Sequence, residues 1–193
     1  HNIIYQNILA LSAEDARKAY NSLSGEIHAS AKGAMLVNAQ NSRNSIYNHL
    51  NNTKIQNSDA KRDLWFDLWG HTGHLKSNSS GATKLKNEGF GLLIGSDIYS
   101  NDTIRFGAAL GYEENQLHAD ARHSKADTKA FQMMAYGQVL MGNIDLSGGI
   151  GYALQKVDVK RTVMVNLLNS YNQSKYDANI FQLFLKGKYN FAI

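Results

Sequence analysis

Residues able to do chemistry are few in this chain, and their spacing discourages most of what they suggest. "HTGH" sets His71 and His74 three apart, a spacing familiar from metal sites. On a strand that offset turns the two rings to opposite faces, so shared ligation is not expected. His28, His49, His118 and His123 have no serine and carboxylate grouped around them in a recognisable triad, and read as ordinary surface or interior histidines. "GFGLLIG", residues 89–95, has the glycines of a phosphate-cradling loop. Such a loop needs a strand–turn–helix transition at its glycines, whereas these alternate within one extended stretch. No catalytic residue, cofactor or metal ligand is assigned.

The alternation itself demands an explanation. Gly89, Gly91, Gly95, Gly107 and Gly111 interleave with Phe90, Leu92, Ile94, Phe106 and Leu110. Glycine inside a strand costs entropy and gives up a packing side chain. From about residue 63 the period is two, and six strands are expected near 63–76, 86–99, 103–118, 128–141, 143–160 and 178–191. "SNDT" and "MGN" read as short turns at one rim, and the other three connections as long loops at the opposite rim. One face carries Ile98, Ile150 and Tyr152 with the apolar residues above. The other carries Asp97, Arg105, Glu113, Gly149, Gly151 and Gln155 with the glycines. A soluble sandwich would bury the apolar face and need no glycine outside. Glycine on the polar face implies that something approaches it closely. A transmembrane β-barrel, an antiparallel up-and-down meander with lipid outside and a helix threaded through its lumen, supplies that approach. An arginine at Leu110 or Ile150 is then expected to impair insertion, and one at Gln155 to be tolerated.

Before residue 57 the period is helical. Ser12 and Asp15 form a capping-box-like start for Ala13–Leu23, Gly25 interrupts, and "EIHASAKGAMLVNAQNSRNSIYNHLNN" continues as a long helix. Its middle is small (Ser30, Gly33, Ala34) and its later turns are polar, Asn41 and Ser42 among them, with Arg43. With no apolar stripe running its length it is not an ordinary core helix, and a polar, water-containing cavity suits it. A frayed linker is the other reading of these residues. The chain divides into a helical junction and linker, 1–57, and a strand region, 58–193.

Composition narrows the class. The 193 residues contain no cysteine, which removes disulfides and thiolate metal sites, and no proline, which suits long uninterrupted ladders. The formal charge of +4 is scattered among acids, so nucleic acid is not an expected partner.

In this setting "LSGEIHAS", Leu23–Ser30, resembles the junction preceding the translocator of autotransporters, the type V secretion family of Gram-negative outer membranes. "NSR", Asn41–Arg43, resembles that family's Asp-Ser-Arg in the linker helix; "WGHT", "NEGFGLLIGSD", "GAALGY", "AYGQ" and "DVKRTV" follow in family order. The resemblance implies an outer-membrane barrel of twelve strands, of which these six are the N-terminal half, with the linker helix in its pore. It implies a passenger N-terminal to the barrel, possessing in some members a subtilisin-like protease fold. Outer-membrane lipid, that passenger and the barrel-assembly machinery are the implied partners. Asn51-Asn52 resembles a bond that some members cut within their own pore, but the flanks "NHLNNTK" do not match that subgroup. "FLKGKYNFAI" corresponds to a mid-barrel strand, so the chain is expected to be a truncated piece whose first and last strands do not pair. Three functions stay open: a translocator, a passenger-less pore or adhesin barrel with a helical plug, and a soluble β-protein holding a lipophilic ligand. The glycine-lined polar face disfavours the last, and the junction segment favours the first.

Overall fold

The computed structural model describes residues 12–13, 26–53, 63–75, 85–119, 124–165 and 168–191. The expected first helix, Ala13–Leu23, lies outside the described residues apart from Ala13. One helix, α1 (Glu26–Asn52), precedes six strands: β1 (Asp63–Leu75), β2 (Leu85–Ser100), β3 (Ile104–Ala119), β4 (Ser124–Met141), β5 (Ile144–Val165) and β6 (Leu168–Tyr189). They form one antiparallel sheet in the order β1-β2-β3-β4-β5-β6. β1 pairs with β2 and β6 with β5, and the sheet is open.

Alternation decides which way each residue points, because successive side chains of a strand leave opposite faces. In β3 the pattern is unbroken from Ile104 to Tyr112, with Arg105, Gly107, Ala109 and Gly111 buried between exposed neighbours. The buried face is the one that α1 covers. Its stripe recurs at Ile27, Ala31, Ala34, Met35, Asn38, Ala39, Ser42, Ser45, Ile46 and Leu50, which is helical spacing. Because polar and apolar residues share that stripe, it does not register as amphipathic in the sequence.

Local chemistry ends the strands near α1's C-terminus. In the β2–β3 turn, the Asn101 side-chain oxygen accepts from the Thr103 and Ile104 amides at 2.9 and 2.7 Å. In the β4–β5 turn, Gly142 sits at φ 58°, where a side chain would be strained. A register shift between Asp97 and Tyr99 puts both Ile98 and Tyr99 on the exposed face. Such a bulge re-aims its neighbours, and Asp97 points inward immediately before it.

At the other rim the expected loop "SNSSGATK" lies outside the described residues, and the described parts of the other two expected loops are strand. β4 begins at Ser124, not near 128, and residues 168–177 of the expected loop "NLLNSYNQSKYD" belong to β6, which pairs with β5 as far as Val165↔Leu168. Turn-type residues mislead here because a ladder is made by backbone groups, which asparagine and serine supply as well as valine does.

Candidate functional site

The inner face and α1 together make the only extended polar interior among the described residues. Midway along the helix, Gln132 donates to the Ser42 hydroxyl at 2.6 Å, and that hydroxyl lies 3.1 Å from both a Glu113 carboxylate oxygen and the Asn38 carbonyl it can donate to. Ser42 and Glu113 are 0% and 2% exposed, so this pairing is shielded from water. Arg43 donates to Gln182 on β6 at 3.3 Å, and the Lys186 ammonium lies 5.2 Å over the Tyr47 ring.

Near the C-terminal end of α1 a second network is denser. His49 Nε2 lies 3.0 and 3.1 Å from the two carboxylate oxygens of Asp97. A carboxylate only accepts, so that nitrogen carries the proton facing it. The Tyr136 hydroxyl donates to Asp97 at 2.7 Å and accepts from the Trp65 indole at 2.7 Å. His49 stacks on Trp65 with centroids 4.5 Å apart. Arg105 stands 3.5 Å from Asp97 and donates to Gln138, which in turn donates to Asp145.

Toward the N-terminal end the contacts change character. Ile27, Ala31, Ala34 and Met35 pack with Leu117, Ala119, Ala126, Val157 and Val159.

The glycines have a different role from the one their position suggested. They do not clear space for the helix itself: a Cβ at Gly91 or Gly95 would run into the indole of Trp69 or Trp65, the residue directly opposite on β1. Gly107 lies beneath Tyr136, Gly111 beside Gln132 and Leu93, Gly149 against Phe184, and Gly89 between Asn115 and His71. Large side chains of neighbouring strands therefore lie flat along the sheet, and the helix rests on that layer. Gly33 does not touch that layer. It lies on the uncovered side of α1, where an added Cβ would meet nothing within 4 Å. Ala34 and Ser42 are buried against the sheet, whereas Ser30, Asn41 and Arg43 are half-buried. Gln155, expected to tolerate arginine because its face meets water, is 2% exposed beneath the helix; the same substitution would bury a charge.

Asp97, Arg105 and Glu113 point inward with Gly151, and Gly149 shares their face half-buried. Phe90, Ile94, Phe106, Leu110, Ile150 and Tyr152 point outward and are exposed, with Leu92 half-buried among them. His71 points inward and His74 outward, as an offset of three requires. Sequence reasoning missed His49, Trp65, Tyr136 and Gln138 as members of the network. Parity was the signal available for the three strand residues; for His49 nothing in the sequence named Asp97 as its partner.

This is an inside-out sheet: apolar outside, polar within, a helix on the polar face. The family description "Autotransporter beta-domain" matches residues 64–193. The chain belongs to the autotransporter beta-domain family. Two extracellular serine proteases of Serratia marcescens are each 27% identical over 195 residues, covering 98% of this chain and 18% of their own length. The chain thus spans under a fifth of the length of those relatives. An autotransporter beta-domain is an outer-membrane translocator for an N-terminal passenger, and it is not itself an enzyme. No described helix is long and apolar enough to cross a membrane; barrel strands cross by alternation instead.

Proposed function

We propose that residues 58–193 are the N-terminal half of a twelve-stranded barrel in the outer membrane of a Gram-negative bacterium, and that residues 1–57 join it to an exported passenger. The observation that carries this reading is the outward face. Leu110 and Ile150, in central strands, are 54% and 48% exposed amid a continuous apolar surface. Water-soluble monomers rarely present so large an apolar patch. In β3 the unbroken outward apolar run, Ile104 to Tyr112, has the length with which a tilted strand crosses a bilayer.

Under this reading Phe90, Leu92, Ile94, Phe106, Leu110, Ile150 and Tyr152 face lipid. Gly89, Gly91, Gly95, Asp97, Arg105, Gly107, Gly111, Glu113, Gly149 and Gly151 face the lumen. The helix bearing Ser30, Gly33, Ala34, Asn41, Ser42 and Arg43 occupies the pore. Direction is supported by two tight turns, at 101–103 and 142–143, which lie at the rim holding the helix C-terminus. Short turns face the periplasm in such barrels, so the N-terminus of α1, and the passenger before it, lie at the outer rim. The barrel-assembly machinery is the partner that inserts the strands, and a serine protease is the passenger the named relatives favour.

The test is insertion of the full-length protein. Leu110→Arg or Ile150→Arg should cost about 2–4 kcal/mol near the bilayer midplane. Asn172→Arg, on the exposed end of the β5–β6 hairpin, should insert normally. Equal loss from all three in a membrane-insertion assay defeats the lipid-facing assignment.

A further inference from the structure

A helix leaves its last carbonyls without partners inside the helix. At the end of α1, the Leu50 carbonyl and the carbonyl of Thr53 just beyond converge on Arg105, whose Nη2 donates to them at 2.8 and 3.2 Å. Nη1 of the same guanidinium donates to the Thr53 hydroxyl at 2.5 Å. That hydroxyl also donates to the His49 carbonyl at 2.6 Å, and the Thr53 amide reaches the same carbonyl at 3.1 Å, so the chain is wound tightly at this point. In an extended chain the carbonyls of residues 50 and 53 would lie about 10 Å apart, beyond one guanidinium's reach. Arg105 therefore engages groups that only the finished helix brings together.

The strands bind Arg105 as well. It is 2% exposed, donates to Gln138 Oε1 at 2.6 Å and stands 3.5 Å from Asp97. Gln138 is fixed in turn by both Asp145 oxygens, at 2.9 and 3.0 Å. Four strands, β2 to β5, thus contribute to one rigid donor at the short-turn rim. An arginine fork suits two acceptors at a fixed separation, which a lysine does not.

We propose that Arg105, positioned by Gln138 and Asp145, is the stop of export: it recognises the folded C-terminal end of α1, seats the helix in the pore and holds it closed. This rests on the translocator reading. Arg105 is a positioning residue, with its effect read in pore closure, not in barrel assembly.

The experiment uses the full-length protein in the outer membrane and, purified, in planar lipid bilayers. Surface exposure of the passenger reports export, heat-modifiable migration reports the folded barrel, and ion conductance reports helix seating. Arg105→Ala should keep export and the folded barrel while shifting the closed–open equilibrium toward open roughly ten- to a hundredfold, the range for losing hydrogen bonds from a charged group. Arg105→Lys should fall between, and Gln138→Ala should shift conductance less but in the same direction. Wild-type conductance in both Arg105→Ala and Gln138→Ala overturns the proposal. Should Arg105→Ala yield no folded barrel, Gln138→Ala and Thr53→Ala decide instead, and unchanged conductance in that pair overturns it. Absence of surface passenger in the wild type would count against the translocator reading, whereas normal export with unmoved conductance counts against the stop alone.

Discussion

The two ends of α1 meet the same sheet by different physics. At its N-terminal end, Ile27, Ala31, Ala34 and Met35 lie against leucine, alanine and valine from β3, β4 and β5. Such contact is non-directional and holds by buried area, not by donor–acceptor geometry. Near the short-turn rim, Ile46 and Leu50 also find apolar neighbours, but His49 and the Leu50 carbonyl are bound by side chains of fixed geometry. Hydrogen bonds weaken steeply as angles bend, so this end has one seat. One end of the helix is thus held by buried apolar area and the other by directed bonds as well.

The largest effect expected on that contrast comes from Asp97→Ala. It removes the acceptor shared by His49 and Tyr136 and the carboxylate beside buried Arg105. Removing one partner of a buried ion pair costs about 3–5 kcal/mol. Urea unfolding of the detergent-held domain, followed by the fluorescence of Trp65 stacked on His49, measures it; a loss no larger than that of a surface substitution would remove the distinction between the ends. Next comes Ala31→Leu at the apolar end, where Ala31 is 0% exposed. Overpacking there should destabilise by about 1–3 kcal/mol, with the His49–Trp65 fluorescence signature unchanged, since that end can yield without disturbing the other. Ile27→Val should cost only about 0.5–1.5 kcal/mol. Its unfolding midpoint should respond to salt as the wild type's does; a marked change would mean that polar forces act at this end too. The smallest effect has the opposite sign. Gly33→Ala, on the uncovered side with open space for a methyl group, should stabilise the helix by about 0.5–1 kcal/mol. A destabilising result would mean that something packs on that face.

Phe90 beside Gly91, and Leu110 beside Gly111, already announce two faces in the sequence. Where a face meets lipid or a buried helix, every second residue is selected by one environment, and that pattern is local. The helix over residues 26–52 was legible for the same reason, though its buried stripe was not, since Asn38, Ser42 and Ser45 share it with Ile46 and Leu50. Which residue fills the space over each glycine was not legible. Trp69 covers Gly91 because the register sets them opposite, and register joins residues remote in sequence. The β5–β6 hairpin ran past its expected end because backbone pairing ignores turn composition when both strands continue. His49 meets Asp97 across 48 residues and Arg105 meets Thr53 across 52. Periodicity assigns such residues a face but no partner. Their meeting is a property of how the helix is docked on the sheet, so the faces belong to the sequence and the fastening to the tertiary structure.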